Sequence, residues 1–580
     1  MENPGGVLER AGVLGGSGKD GDLKHIPRRE LVVLILVACL LACATSWPLI
    51  TRLSHDVAVD LGDPLLQAWQ VAWGGHALTN QPSDFFDSNA FWPENNSLAF
   101  SDALLGYAPA GLLGSGATSA LVRYNLLFLF AYALAFMGAY LLARQLGLGV
   151  LAAAVAGVAF AYAPWRLSQN GHLHVISSGG IPLSLFCMVR GYQQQRPWVI
   201  LAGWGIAAWQ LAVGFTLGLQ LAYLLAILGL LGVIVWIRRG RQPLPRHVLK
   251  ATFIGMLLFG IWSVVQTAPY LEVAEQHPGA RRGLEEVRVF SVPLKGLLAA
   301  PDNSLLWSAP TESVRRKLIW PTEQTLFPGV TAPLLAVIGL FSARSLPGRL
   351  RFGLGLAIFI CTLLSLGLTP RLSDGRFTYR LLYEYAPGWQ SIRTPGRLNT
   401  LTSLAIALLA AGGAQEIVCR VSSANRRLHQ LVTTAGVGLV GLVLLEGLGP
   451  LPHPSVPPPP EAQEEAPAPQ LHLPFFEDSL YMYWSTDGFP EIVNGYSGFF
   501  PPRLERLWDD MRGFPDNQTV DLLRSMGVES VVLHKDLAKD TSWATTDDRA
   551  ITDLGLERRE EERIVIYLLR PDRRAGDNGP

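Results

Sequence analysis

The sequence predicts an all-α polytopic membrane bundle of about eleven transmembrane helices, followed by a small α/β extracytoplasmic C-terminal domain. Hydrophobic residues make up 49% of the 580 residues and charged residues only 16%, against roughly 25% charged in an average soluble chain. Apolar windows of about 20 residues, the length that crosses a bilayer, recur between Arg, Pro and Gly residues. A third observation, short elements of mixed polarity after a Pro-rich stretch, predicts the second domain.

Each predicted span is a window of mainly apolar residues that is long enough to cross the hydrocarbon core. In chain order the windows are Leu31–Ile50, 120–143, 149–164, 174–191, 198–213, 216–236, 249–270, 326–343, 352–369, 398–418 and 431–449. The apolar stretch 103–116 is too short and too rich in Gly and Pro to cross, so we expect it to lie at the membrane interface or to re-enter.

Arginines concentrate on alternate short connections between the windows. These residues are Arg28, Arg29, Arg144, Arg196, Arg238, Arg239, Arg241, Arg246, Arg344, Arg349, Arg351, Arg420, Arg426 and Arg427. Because Lys and Arg in short loops are retained in the cytoplasm, the N-terminus is predicted to be cytoplasmic, and an odd number of spans places the C-terminal domain outside. We expect a multi-pass protein of the inner (plasma) membrane whose long segments face away from the cytoplasm.

Composition divides the chain into five parts. Residues 1–30 are predicted to be a disordered cytoplasmic tail and 571–580 a second disordered tail. The membrane domain spans 31–449 and includes a long extracytoplasmic first loop, 51–118. Residues 450–470 form a linker rich in Pro and Glu that cannot hold a core of its own.

Residues 471–570 regain the pattern of a small globular domain. Helices are predicted over Pro502–Arg512 and Thr519–Met526, and strands over Ser530–Leu533 and Ile564–Leu569. A helix that ends at a glycine and is followed at once by a β-rich run favours a small α/β domain. About 100 residues suffice for one modest core.

Charge, cysteine and motif content exclude several function classes. Lys plus Arg and Asp plus Glu both number 47, so the chain is not a globally basic nucleic-acid binder and no nucleic-acid partner is expected. All five cysteines lie in long apolar runs, where they act as small hydrophobic residues. The acid-x-acid match at Asp20–Asp22 lies in the Gly-rich tail and is attributed to chance. No Walker A loop or Gly-x-Ser-x-Gly elbow is present.

The first loop carries the strongest candidates for catalysis. Asp60 and Asp63 stand in an acidic segment just after the first span, ahead of Trp69 and Trp73. A carboxylate at a low-dielectric interface can act as a general base or can ligate a divalent cation beside a phosphate. The alternative is that Asp63 only caps a helix that begins at Pro64.

Asp102 is a further candidate in the same loop. It precedes the short apolar stretch and could bind substrate or a metal ion. It could equally cap the stretch that follows.

A second group of candidates is basic. Arg166, His172 and His174 lie between the third and fourth windows, where they suit a lipid-linked phosphate. The two histidines are only two residues apart and need not share a helix face, and a zinc site would need further ligands. Arg393 and Arg397 precede a span on the outer side against the inside bias, which favours phosphate binding. The alternative is that they snorkel to lipid headgroups.

Several stretches resemble the C-superfamily (GT-C fold) of membrane glycosyltransferases, in particular its bacterial members. The matching stretches are Gly62–Pro64 with Trp69 and Trp73, Phe86–Pro93, Ser101–Asp102, His172 with Pro182, Arg393–Arg397 and Val493–Gly498. The resemblance implies transfer of a sugar from a polyprenyl-phosphate donor to a cell-envelope acceptor on the outer face, with inversion at the sugar carbon.

The resemblance also implies roles for individual residues. Asp63 would be the base, with Asp60 as the reserve, and Arg393, Arg397 and His172 would hold the departing lipid phosphate. The loop lacks the Asp-Glu or Asp-x-Asp pair that many of these enzymes use, so no metal ligand is assigned. A divalent cation is the one cofactor considered.

Two other function classes remain open at this point. A flippase or transporter of a lipid-linked sugar would also have many spans and outer arginines, although no internal symmetry of the kind common in transporters is evident. A non-catalytic envelope assembly protein is the other alternative. In each case the partners are membrane lipid and a polyprenyl-phosphate-linked sugar, and the sequence indicates no protein partner.

Overall fold

The computed structural model describes residues 26–238, 240, 244–369, 375–424 and 429–569. Most of the two predicted tails, the Asp20–Asp22 match and four of the predicted cytoplasmic arginines (Arg239, Arg241, Arg426 and Arg427) lie outside these residues. The first helix begins at Arg28, inside the tail that was expected to extend to residue 30.

α-Helices make up most of the described chain. In order they are α1 (Arg28–Thr45), α2 (Asp63–Asn80), α3 (Gly116–Gln145), α4 (Val150–Ala161), α5 (Leu173–Ile176), α6 (Gly180–Gln194), α7 (Pro197–Val213), α8 (Phe215–Arg238), α9 (Arg246–Gln276), α10 (Leu284–Phe290), α11 (Ser308–Arg315), α12 (Pro321–Gln324), α13 (Thr331–Phe341), α14 (Gly348–Ser365), α15 (Tyr379–Tyr385), α16 (Asn399–Ala424), α17 (His429–Glu446), α18 (Asp478–Trp484), α19 (Pro502–Asp510), α20 (Asn517–Ser525) and α21 (Lys535–Ala538). The strands are β1 (Gln470–Leu473), β2 (Ser530–His534), β3 (Leu556–Glu560) and β4 (Ile564–Leu569).

The chain is mostly helical and has several apolar spans, and each of the eleven predicted windows coincides with a helix. Among the described residues, six helical segments are long and apolar enough to cross a membrane: Gly116–Gln145, Leu173–Gln194, Phe215–Arg238, Arg246–Gln276, Gly348–Ser365 and Pro395–Val421. Four further apolar helices are shorter: Val150–Ala161, Pro197–Val213, Thr331–Phe341 and Thr434–Glu446. The span count of eleven therefore stays a prediction.

The long apolar helices differ in how much of their surface the protein covers. The apolar windows of α3 and of Pro395–Val421 are 72% and 78% buried, whereas that of α8 is 17% buried and that of α14 only 6%. An apolar helix that the protein leaves uncovered is suited to contact with lipid. The covered helices approach closely where small residues allow it: a Cβ on Gly339 of α13 would lie 1.9 Å from a backbone oxygen of α16.

The chain forms two compact units. The helical unit comprises residues 26–50, Leu127–Gln266 and Arg281–Pro452. The loop unit comprises Thr51–Leu126, Thr267–Ala280 and the described residues from His453 onward. The first loop and the C-terminal residues, which are far apart in sequence, thus belong to the same unit.

Within the loop unit, two segments of the first loop pack with almost no space between their backbones. A Cβ on Gly75 of α2 would lie 2.1 Å from the carbonyl carbon of Gly111, and a Cβ on Gly111 would lie 2.1 Å from the carbonyl oxygen of Val71. Gly111 belongs to the 3-10 helix Leu105–Leu112. Only glycine permits this approach, and it holds the stretch predicted to lie at the interface against α2.

Backbone hydrogen bonds join the first loop to the C-terminal residues. The amide of Phe91 donates to Asn494 over 3.1 Å, that of Trp92 to Ile492 over 2.9 Å, and that of Ile492 to Asn89 over 2.7 Å. Gly495 follows directly, and a Cβ there would lie 2.4 Å from the ring of Phe91. Backbone pairing of this kind fixes the register of the two segments.

The C-terminal sheet has the strand order β1-β2-β4-β3, with β1 parallel to β2 and the other pairs antiparallel. β2 and β4 lie where the sequence predicted strands, and α19 and α20 where it predicted helices. His472 of β1 and His534 of β2 are buried and hydrogen-bonded, Nδ1 to Nε2, over 3.0 Å. Burial lowers the pKa of His472 to about 3 and that of His534 well below its usual value, so both are neutral at pH 7.

Candidate active site

Asp60 and Asp63 lie on the turn that leads into α2. The backbone amide of Gly62 donates to Asp60 Oδ1 over 2.8 Å. Val59, just before, has a φ of 82°, a conformation that β-branched residues rarely adopt. Backbone strain of this kind persists only where the surrounding structure imposes it, and it concentrates at functional sites. The turn, which we call the acid turn (residues 59–63), therefore holds two carboxylates in a fixed setting.

The helix α2 begins at Asp63, with Gly62 at the N-cap position and Pro64 in the first turn. The interpretation of Asp63 as the capping residue is thus wrong by one position. Its carboxylate lies in the first turn, where the positive end of the helix dipole favours the ionised form.

A buried tyrosine lies beside the acid turn. Tyr124 of α3 is fully buried, and it is close enough to Asp60 and Asp63 to be affected by the charge of both. Among the described residues its hydroxyl has no hydrogen-bond partner. A buried hydroxyl without a partner is costly in a folded protein. Its position next to two carboxylates marks it as part of the same site.

Asp102 lies beside α2, farther from the start of that helix than Asp60 and Asp63 do. Its neighbour Ser101 accepts a hydrogen bond from Gln70 over 3.0 Å, and Gln70 is two helical turns beyond Asp63, or roughly 10 Å. The capping alternative for Asp102 fails, because the next 3-10 helix has Leu104 at its N-cap position. Asp102 is close to Tyr270, whose hydroxyl accepts from the amide of Ala103 over 3.1 Å.

In the helical unit, Arg397 and His174 come together around a buried acid. Arg397 donates to Glu323 Oε1 over 2.7 Å, and its other terminal nitrogen lies 3.0 Å from His174 Nε2. The ring of His172 is 5.7 Å from that of His174. Both members of the ion pair are buried, with 11% and 6% of their side chains exposed. This burial favours pairing over headgroup snorkelling for Arg397.

Glu323 is ionised in this setting. Burial alone would raise the pKa of its carboxyl group, but the charge and the hydrogen bond of Arg397 outweigh burial and hold the pKa below its ordinary value. The pair is therefore a buried ion pair with both members charged, and the charge of Arg397 is neutralised by Glu323.

Arg393 is also paired. Its guanidinium donates to Glu286 Oε1 over 3.1 Å and stacks over the ring of Phe290 at 5.2 Å. Both charged side chains are half-buried, so this ion pair is more exposed to solvent than the pair of Arg397 and Glu323.

Arg166 is the exception among the candidate arginines. It is fully buried and donates to Ser178 Oγ over 2.9 Å and to the backbone oxygen of Ile176 over 2.7 Å. No carboxylate among the described residues forms an ion pair with it, and its Nε has no hydrogen-bond partner there. Its guanidinium lies over the ring of Tyr132 at 5.6 Å. Within the described part of the chain, the charge of Arg166 is thus buried without a counter-charge, which is unusual in a folded protein.

Arg166 lines a small cleft with a cavity volume of about 20 Å³ that is partly open to solvent. Its polar lining residues are Thr45, Ser46, Tyr132, Tyr162, Arg166 and Asn170. The Tyr132 hydroxyl donates to Asn170 Oδ1, and the Tyr162 hydroxyl lies beside the side chain of Thr45. The cleft has room for about one water-sized group, so its positive charge and hydroxyl groups suit one oxygen atom of an anion at its mouth.

The described residues contain no group of three or more His, Cys, Asp or Glu side chains placed to hold a metal ion. His172 and His174 belong to the cluster of Arg397 and Glu323 described above. We therefore assign no metal ligand.

Comparison with solved structures places this geometry in a known fold. Two structures of the mycobacterial arabinofuranosyltransferase AftD match 94% of this chain at 16% identity, with TM-scores of 0.57 and 0.58. The chain has the fold of a GT-C membrane glycosyltransferase. This confirms the fold that the resemblance in the sequence implies.

The GT-C match extends over most of this chain but not over most of AftD, of which it covers 42%. The oligosaccharyltransferase of Archaeoglobus fulgidus matches 93% of this chain and 74% of its own at 13% identity, with a TM-score of 0.45. ArnT from Cupriavidus metallidurans, solved with undecaprenyl phosphate, matches 94% and 99% at 12% identity, with a TM-score of 0.38. Because both TM-scores are below 0.5, we draw no conclusion from these two structures. No protein-family model and no curated protein matches the chain.

Sequence reasoning missed two residues of these sites. Glu323 stands 74 positions before Arg397, in the stretch between the predicted windows 249–270 and 326–343. Tyr124 lies inside an apolar window and looks like an ordinary membrane-helix residue. The one signal for Glu323 is a lone acid flanked by Trp320, Pro321 and an apolar run, a setting in which an unpaired carboxylate is costly.

Proposed function

We propose that the protein transfers a sugar from a polyprenyl-phosphate donor to a cell-envelope acceptor on the extracytoplasmic face of the membrane. The observation that carries the proposal is the acid turn, which presents Asp60 and Asp63 at the start of a helix beside the buried Tyr124. The GT-C fold supports it as the scaffold on which such a loop does chemistry. Because an identity of 16% supports the fold alone, the proposed activity rests on the residues of the acid turn.

In this reaction the acceptor hydroxyl attacks the anomeric carbon of the donor sugar. Its proton passes to the carboxylate of Asp63 as the new bond to carbon forms. The bond from the anomeric carbon to the phosphate oxygen breaks, and polyprenyl phosphate leaves with the electron pair. Attack opposite the leaving group inverts the configuration at that carbon. Asp60 is the alternative base, since it shares the turn.

The departing phosphate needs a positive charge that is not already neutralised. Arg397 and Arg393 are paired with Glu323 and Glu286, whereas Arg166 has no acidic partner among the described residues. We therefore assign the main phosphate contact to Arg166 and its cleft. His172, His174, Arg393 and Arg397 would add hydrogen bonds and set the local field, and Asp102 remains a candidate for sugar contacts.

The test is sugar transfer by the purified full-length protein in lipid nanodiscs, with a panel of radiolabelled polyprenyl-phosphate sugars. Asp63→Asn should lower the rate by about 10² to 10⁴ fold, the usual loss on removing a general base. Asp60→Asn tests the reserve, and Asp84→Asn is the matched control because Asp84 is an exposed acid of the same loop. The control should transfer sugar at the wild-type rate.

The other outcomes separate the competing functions. Full activity in both Asp63→Asn and Asp60→Asn would remove the acid turn from catalysis. If no donor is consumed while labelled lipid crosses the bilayer, the protein is a transporter. If the donor is neither consumed nor moved, the assembly role is favoured.

A further inference from the structure

We propose that four aromatic side chains of the loop unit form a stacking surface for a neutral saccharide, the acceptor of the reaction proposed above. The aromatic surface comprises Phe476, Tyr496, Phe500 and Trp508. As a statement about the acceptor, this inference rests on the proposed function. Saccharide binding itself can be measured without any transfer.

The four rings form a continuous chain. The ring of Trp508 lies 5.3 Å from that of Phe476 and 5.0 Å from that of Phe500, and Phe500 lies 6.5 Å from Tyr496. The contacts are tilted or edge-to-face, so the rings present faces in more than one direction.

These rings are not part of a core. Phe476 is 70% exposed and the other three are partly exposed. On the same helix as Trp508, Leu504 and Leu507 are buried. Helix α19 thus points its leucines inward and leaves its tryptophan partly exposed, with the indole Nε1 buried and without a hydrogen-bond partner among the described residues. Phe476 adopts a φ of 80°, a conformation in which a bulky residue is strained and must be held by its surroundings.

One end of the aromatic surface reaches the acid turn. A Cβ placed on Gly62 would lie 3.7 Å from the Tyr496 hydroxyl and 3.2 Å from Asp60 Oδ1. The hydroxyl of Ser479, on α18, donates to the backbone oxygen of Leu61 over 2.8 Å. The two elements that carry the rings and the acids are therefore fixed to each other within the loop unit. A sugar on the rings would have its hydroxyl groups beside the candidate base.

The chemistry of the surface selects the ligand. A sugar ring has faces of C–H groups with partial positive charge, and aromatic faces are negative, so the two attract. Sugar hydroxyls at the ring edge can donate to carboxylates such as Asp60. Near Trp508 in sequence, the acids Glu505, Asp509 and Asp510 are balanced in number by Arg503, Arg506 and Arg512. A surface without a net positive charge does not attract anionic lipid, and a neutral saccharide is the occupant that fits it.

The test is saturation-transfer NMR on the full-length protein in nanodiscs with neutral trisaccharides of mannose, glucose, galactose and arabinose, each as its methyl glycoside. We expect transfer to the ring C–H protons of at least one trisaccharide. Trp508→Ala should weaken that binding by more than about tenfold, as truncation of a stacked aromatic does. Trp508→Phe keeps a ring and should stay within about threefold of the wild type. Phe377→Ala is the matched control, since Phe377 is an exposed aromatic of the helical unit.

The inference is overturned if no trisaccharide binds, if Trp508→Ala together with Phe500→Ala binds as the wild type does, or if these rings respond only to phosphatidylglycerol vesicles. Asp63→Asn separates this inference from the proposed function: it should stop transfer and keep saccharide binding. If the wild type binds saccharide but consumes no donor, the binding surface stands and the transferase proposal fails.

Discussion

Arg166 and Arg397 are both buried in the helical unit, but the protein neutralises only one of them. Arg397 has Glu323 at 2.7 Å and His174 at 3.0 Å. Arg166 has a serine hydroxyl, a backbone oxygen and two aromatic faces, but no carboxylate partner in the described residues. The first arrangement has the form of a structural ion pair. The second leaves a charge for an anion that is brought in from outside.

This difference indicates which arginine is the better candidate for binding an anion. The sequence singled out Arg393 and Arg397, because they defy the inside bias of membrane loops. The structure shows that each has an acidic partner in its own unit. A position that violates a topological rule can thus be explained by local pairing, and the better sign of a binding site is charge without a partner.

The largest expected effect is on stability, from Glu323→Gln. Removing the carboxylate leaves Arg397 buried without its counter-charge, which should cost about 3 to 5 kcal/mol in the free energy of unfolding. Glu312→Gln is the matched control, because Glu312 pairs with Arg316 at an exposed site and should cost less than about 1 kcal/mol. Chemical unfolding of both variants in detergent gives the comparison. Equal losses in the two variants would show that the buried pair is not structural.

The next effect distinguishes the two arginines by ligand binding. Arg166→Met removes a buried charge that no carboxylate of the described chain balances, together with the hydrogen bonds to Ser178 and Ile176, so we expect a smaller loss of stability than in Glu323→Gln. The affinity for polyprenyl phosphate should fall by about tenfold to a hundredfold, the equivalent of one charged hydrogen-bonding partner. Titration of the lipid phosphate into nanodisc samples measures this, with Arg166→Lys as the variant that keeps the charge. If the affinity of Arg166→Met is unchanged, Arg166 does not bind the phosphate, and Arg397 or Arg393 becomes the candidate.

The smallest expected effect is a pH dependence of stability that arises from Glu323, the partner of Arg397. The folded-state pKa of Glu323 lies below its ordinary value of 4.5, so below about pH 4.5 the unfolded chain binds more protons than the folded one. The stabilisation by this pair is present above pH 4.5 and is lost as the pH falls further. Unfolding midpoints from pH 7 to pH 3 should therefore drop more steeply for the wild type than for Glu323→Gln. Parallel curves would contradict the assignment.

The sequence was sufficient for the helices because their signal is local. Apolar windows lie at every helix that is long and apolar enough to cross a membrane, and β2 and β4 lie where β-rich runs predicted them. The long helix α2 of the first loop lies in none of the windows. β3 was missed because Leu556–Glu560 is an edge strand rich in charge, which protects an edge from pairing but hides the strand pattern. β1 was missed because its four residues include the buried His472 and Gln470, polar residues that a short core strand rarely carries.

The candidate site was predictable only in part, for a physical reason. Asp60 and Asp63 could be found because they cluster in sequence after the first span. Glu323 and Tyr124 could not, because their importance depends on contacts with residues far along the chain. The pairing state of each arginine is likewise a tertiary property. Composition supplies the charges, and packing decides which of them remain available.

The pairing of the first loop with the C-terminal residues has a consequence in time. The side chain of Asn89 bonds to the backbone oxygen of Pro490, 401 residues later. At roughly 5 to 20 residues per second, a ribosome needs about 20 to 80 s to cover that distance. During this interval the acid turn is already made, but the segments that hold it are not. A ribosome that stops early would leave an inserted chain with an unfinished site.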